Sequence, residues 1–159
     1  MITDRQAKID RIRRFPAELR QLLHGLSEEQ LDAHYLDGEW SVRENVHHLP
    51  DSHMSAVVRL KLILTRDRPT LVAYDQDRWA ELPDVQRTPI ESSLAILDGL
   101  HERWCDLFES LTDTQWQRVG LHEEAGEMTP ERLLNTYANH CDAHIAQICR
   151  TLAAGGIMR

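Results

Sequence analysis

Residues 40–61 read WSVRENVHHLPDSHMSAVVRLK and residues 137–147 read YANHCDAHIAQ. Together they hold five of the chain's nine histidines. In the first stretch Val42, Val46, Leu49, Ala56 and Leu60 return to one face at ~100° per residue, the period of an α-helix, and the stripe continues to Leu64. That spacing predicts a helix over residues 42–65. His53 falls inside the apolar stripe, whereas His48 sits on its shoulder with Asn45, Ser52 and Arg59. In the second stretch His140 and His144 lie four residues apart, which stacks their rings on one helical face. Two imidazoles one turn apart supply half of a tetrahedral metal site. A further ligand has to come from another helix, and the His47–His48 pair is the obvious source.

Outward from these stretches the helical pattern continues. A first helix is predicted over residues 5–24, with Ile9, Ile12, Leu19, Leu22 and Leu23 inward and Gly25 as its stop. Pro16 falls in its interior, where a proline removes a backbone donor, so two pieces meeting at Phe15 are expected. Pro50 likewise removes a hydrogen bond to Val46, and a kink is expected there. Ser27 and Gln30 have the spacing of a capping box, repeated at Thr112 and Gln115. Thr88-Pro89-Ile90-Glu91 reads as a third box around a first-turn proline. It opens a seam of Ile90, Leu94, Leu97, His101, Trp104, Phe108 and Leu111 with one histidine in it. Thr129-Pro130 opens the last helix, with Leu133, Leu134, Tyr137, Cys141, Ile145 and Ile148 inward and Gly155-Gly156 at its end. Residues 67–87 lack periodicity and read as a long crossover. No alternating strand is evident, so the expected class is all-α.

At 159 residues a single domain spanning residues 1–159 is expected. Eighteen basic residues against 26 acidic ones give a net charge of -8, with the basic residues scattered, which argues against a nucleic-acid partner. No apolar run approaches the ~20 residues that span a bilayer, and no secretory layout opens the chain. Three cysteines without CxxC spacing make a disulfide framework unexpected and point to the cytoplasm.

The run W-S-V-R-x-x-V-H-H-L-x-D-S-H-M, followed by R-L-K, L-T-x-x-x-P, Y-D and W-A-E-L-P-D, resembles the DinB-like superfamily, in particular its YfiT-type metal-dependent hydrolases. The likeness runs over residues 5–150. It implies a DinB-like four-helix bundle with a long crossover, a homodimer, and one divalent metal held by the second histidine of the HH pair and two on the last helix. In this chain those are His48, His140 and His144. Two positions depart from the family pattern: Asn139 stands where a Trp is usual and Ala143 where a further His is common.

Three neutral imidazoles leave a cation's charge uncompensated and a coordination position open, suited to zinc or nickel and able to activate water or hold a thiolate. Cys, Asp and Ala separate His140 from His144, so this is not an HExxH motif with its own general base. Asp51, one turn beyond His48, is the candidate base, against an outer or surface role. Arg59, on the His48 face, is the candidate for holding an anionic substrate group, against an ordinary surface ion pair. His47 is expected to face away from the site and His101 to be a satisfied core histidine. His24 and His34 read as surface residues, and His122 as a pocket candidate. Cys141 reads as a small core residue. The substrate is expected to be a small molecule, with a low-molecular-weight thiol as the alternative that the resemblance implies, since relatives in the same superfamily transfer bacillithiol or mycothiol instead of hydrolysing.

Overall fold

The computed structural model describes residues 4–158. Four long helices carry it: α1 (Asp4–Leu23), α3 (Val42–Thr65), α6 (Ile90–Glu109) and α8 (Pro130–Ala154). α1 and α3 each pack against both α6 and α8. The two helices that come first in the chain are therefore diagonal to each other, and the connections cross the bundle ends. Short helices fill those connections: α2 (Glu28–Asp32), α4 (Gln76–Ala80), α5 (Pro83–Arg87) and α7 (Asp113–Trp116).

The apolar stripes read from the sequence meet in one core. Ile12, Phe15 and Leu19 from α1, Val46, Leu49 and Leu60 from α3, Leu97 and Trp104 from α6, and Leu134 and Ile148 from α8 are all fully buried. At ~25 cal/mol per Å2 of apolar surface removed from water, side chains of this size contribute ~1.5–3 kcal/mol each, which is what aligns the four helices. α3 begins at Val42, where Ser41 and Glu44 form a capping box, and it runs through Pro50 without interruption to Thr65. The boxes at Ser27 and Thr112 are also formed.

Three expectations are corrected. α1 is one continuous helix with Pro16 inside it, not two pieces, and Phe15 is buried within its inward face. Thr88 does not cap α6. It ends α5, and Pro89 holds the cap position without a side-chain hydrogen bond. The chain is also not free of strands, for β1 (Thr70–Leu71) pairs in parallel with β2 (Gly120–His122), which pairs antiparallel with β3 (Gly126–Met128). Strands of two or three residues are too short to show alternation, so nothing in the sequence marked them. The little sheet is pressed against α3. A side chain at Gly120 would put its Cβ 2.9 Å from side-chain carbons of Ile63 and Leu71, so any larger residue would force these two to shift. This contact fixes β2 beside the C-terminal end of α3, at Ile63. No described helix is long and apolar enough to cross a membrane.

Candidate metal centre

His48 enters the centre from α3, and His140 and His144 enter from α8. One ring nitrogen from each lies within 4.8 Å of the others, and no described carboxylate or thiol joins the cluster. The rings lie against one another, with centroids 5.5 Å apart for His48–His140, 5.0 Å for His48–His144 and 4.3 Å for His140–His144. Trp40 covers the outer side of His48 at 4.8 Å.

Hydrogen bonds around the cluster decide which nitrogens are free. Asn45, fully buried in the first turns of α3, donates its amide N–H to the Ser41 carbonyl at 2.9 Å, which turns its Oδ1 toward Nδ1 of His144, also at 2.9 Å. An amide oxygen only accepts, so His144 carries its proton on Nδ1 and presents a lone pair on Nε2. His140 Nδ1 is occupied by His53 Nε2 at 3.1 Å, which leaves its Nε2 facing Nε2 of His144, again at 3.1 Å. His48 Nε2 is buried with no partner at all. An orphaned buried nitrogen costs ~1–3 kcal/mol, which a ligand at this point would remove. Tetrahedral zinc with Zn–N near ~2.0–2.1 Å sets its ligand nitrogens ~3.3 Å apart, close to the spacing observed for His140 and His144. The donor set fits a divalent transition metal.

Burial keeps these imidazoles neutral. It pushes His48 down to about 3, helped by His144. It pushes His140 down to about 2, helped by His144 and His48, and His144 to about 4 by burial alone. Metal binding requires the same deprotonated state, so ordering the core also prepares the ligands.

A cavity of about 680 Å3 opens onto His140 between α3, α8 and the crossover. Arg59, Tyr74, Gln76, His122, Glu124 and Thr136 line it. Arg59 donates to the Val72 carbonyl at 2.6 Å and makes no ion pair among the described residues. It is therefore a cation in the cavity wall, not one leg of a surface salt bridge. Asp51 is placed elsewhere. It stands on a neighbouring groove with Met54, Val58, Val72 and Trp79, where burial and then Asp84 push its carboxyl up to about 6. His122 is in the cavity wall, with Nδ1 accepting the backbone N–H of Glu124 and Ala125. His47 is directed away from the centre and bonds Ser93 and the Thr88 carbonyl. Cys141 is buried in the core and burial pushes its thiol up to about 12, the opposite of what a nucleophile needs. His24 and His34 are exposed. Asn45, Trp40 and His53 are the members of the site that the sequence reading did not assign. The spacing of Asn45 three residues before His48, on the same shoulder, was the only signal for it.

The sequence profile of the DinB superfamily matches residues 11–148. The chain belongs to this superfamily. It is 43% identical over 134 residues to YfiT of Bacillus subtilis, covering 84% of this chain and 75% of that protein, whose designation proposes a metal-dependent hydrolase. A similarly designated protein of Oceanobacillus iheyensis is 41% identical over 140 residues, 88% of this chain and 81% of the relative. The solved structure of the Bacillus subtilis YfiT, described as "a probable metal-dependent hydrolase with an unusual four-helix bundle topology", superposes with a TM-score of 0.92 at 38% identity, covering 99% of this chain and 91% of that one.

Purified protein is expected to carry about one divalent metal per chain by elemental analysis. His48→Ala, His140→Ala and His144→Ala should each remove most of it, while His47→Ala should keep it. Full occupancy in the His48 or His144 variant would contradict the three-ligand centre.

Proposed function

We propose that this protein is a metal-dependent hydrolase in which His48, His140 and His144 hold one divalent cation, zinc or nickel, at the wall of a cavity that admits a small substrate. The observation that carries this reading is the set of three ring nitrogens with no partner but one another, one of them, His144 Nε2, left proton-free by the bond its Nδ1 donates to Asn45. Bound there, the cation would supply a Lewis acid with a coordination position left for water or a small ligand. Around it the chain's own residues bind and orient. The Arg59 guanidinium faces the cavity without a carboxylate partner among the described residues and suits an anionic group on the substrate. Tyr74, packed against Trp79 with ring centroids 4.3 Å apart and the planes tilted by 34°, closes the crossover side. Trp40 shields His48 from water.

A second reading, metal-dependent transfer of a low-molecular-weight thiol, is favoured by one specific observation. The cluster contains imidazoles only and Asp51 faces a different groove, so no carboxylate among the ligands serves as a base for water; the carboxylates of the cavity wall, Asp75 and Glu124, stand outside the cluster. A thiol ionises more readily than water and needs that base less.

The test is a screen of zinc- and nickel-loaded protein with ester, amide and phosphoester substrates, beside monochlorobimane with several low-molecular-weight thiols. Hydrolysis that disappears in His48→Ala is expected. Arg59→Ala should raise KM for an anionic substrate by roughly 10–100-fold, the loss of one charge-assisted hydrogen bond. Metal-dependent turnover only in the presence of a thiol would replace the hydrolase with the transferase, and no turnover in any arm would leave a metal-binding protein without catalysis.

The reading includes a homodimer. Met54, Val58, Val72 and Trp79 are exposed and line one apolar groove on the outer side of α3, a surface that a second copy would cover. Light scattering at micromolar concentration should give twice the 18.4 kDa chain mass, falling to the monomer in Val58→Glu. A monomeric wild type would remove the dimer from the proposal.

A further inference from the structure

Beneath the metal centre two more histidines are buried where no metal reaches them. His53 of α3 is 0% exposed and His101 of α6 is 1% exposed. Phe15 stacks on His101 at 5.7 Å and Tyr137 meets His53 edge-on at 5.4 Å. Their nitrogens form a continuous line. His101 Nδ1 lies 2.7 Å from the Ile12 carbonyl of α1, His101 Nε2 lies 2.7 Å from His53 Nδ1, and His53 Nε2 lies 3.1 Å from His140 Nδ1. The carbonyl at its start is available because of Pro16. In a regular helix the Ile12 oxygen accepts the N–H of residue 16, and proline has none.

We infer that the line from the Ile12 carbonyl through His101 and His53 is a positioning relay that fixes which nitrogen of His140 faces the metal. The direction follows step by step from the one end that cannot reverse. A carbonyl only accepts, so His101 Nδ1 must carry a proton. A neutral His101 then has its lone pair on Nε2, so His53 Nδ1 must donate to it. His53 in turn has its lone pair on Nε2, so the proton of His140 stands on Nδ1 and its Nε2 is left bare. Three rings from three helices thus set one tautomer and hold one ring plane. Asn45 does the same for His144 by a single bond.

The chemistry of the starting group matters. A metal-bound histidine commonly donates to a carboxylate, which brings negative charge toward the metal and increases the ligand's basicity. Here the line ends on a neutral carbonyl, so His140 is oriented without an added charge and the cation's Lewis acidity is not reduced by an anion behind its ligand. The inference rests on the three-histidine metal centre and extends it to His53, His101 and Pro16.

The test uses the full chain with 15N-labelled histidine. In the metal-free wild type, long-range 1H–15N spectra should show His101, His53 and His140 all protonated on Nδ1. By competition with a chromophoric chelator, His101→Phe should bind zinc about 10–100-fold more weakly than wild type although it touches no ligand. His101→Gln, whose amide can both donate to Ile12 and accept from His53, should recover most of that loss. His140 protonated on Nε2 in the wild type would overturn the relay, as would unchanged zinc affinity in a folded His101→Phe. Should His101→Phe fail to fold, the wild-type tautomers decide alone. A wild type that takes up no zinc while keeping the Nδ1–H tautomers would overturn the metal centre instead, which separates the two failures.

Discussion

Everything in this bundle depends on keeping three imidazoles neutral and aimed at one point inside a helical core. Burial does the first part, because desolvation disfavours imidazolium far more than imidazole. Aim is harder, since a neutral ring has two tautomers and can rotate. The core supplies it with acceptors that cannot donate. Asn45, anchored to the Ser41 carbonyl, orients His144, and the Ile12 carbonyl orients His140 through two intermediate rings. Polar groups in a core are costly unless fully satisfied, and here His47, His53, His101 and His144 have a partner at both ring nitrogens, whereas His48 has none among the described residues and its Nε2 is buried at the point where a cation would sit.

The same arrangement accounts for the bundle's order. α1 and α3 are diagonal, so the line from Ile12 to His140 runs from α1 through α6 and α3 to α8 and ties all four helices together. The substrate side is built separately, from the crossover and the small sheet. Gly120 lets β2 lie against Ile63 and Leu71, and that contact brings Tyr74, His122 and the Arg59 guanidinium around one cavity. The histidine cluster is thereby carried by long, well-packed helices, while the parts that would set specificity lie in connections that can vary without disturbing it.

Much of this was legible in the sequence. The four apolar stripes, the bounds of α3 and α8 and the i, i+4 pair at His140 and His144 follow from periodicity. His53 was legible in one sense only. Its place in the apolar stripe gave its burial correctly, but periodicity cannot say that it serves a ligand instead of being one. His48 lay on the polar shoulder, and family resemblance, not spacing, singled it out from its neighbour His47. Pro16 looked like a break because a proline interior to a helix loses a hydrogen bond. In the folded chain the freed carbonyl is taken by His101, eighty-nine residues away, and no local pattern could have supplied that partner. The strands were illegible because their pairing is decided by the Gly120 contact with α3 and not by alternation. Asp51 was placed near the site by its distance along the helix from His48, yet its side chain is turned onto the apolar groove beside Trp79.

X-ray absorption at the metal edge of the zinc-loaded protein tests most directly whether three neutral imidazoles form the centre. The expected spectrum has a nitrogen and oxygen shell at ~2.0–2.1 Å with the multiple-scattering pattern of three imidazoles. That pattern should lose one ring in His48→Ala, if the variant retains metal, and keep all three in His53→Ala. A sulfur shell at ~2.3 Å, or a spectrum in which His53→Ala removes a ligand and His48→Ala does not, would contradict it.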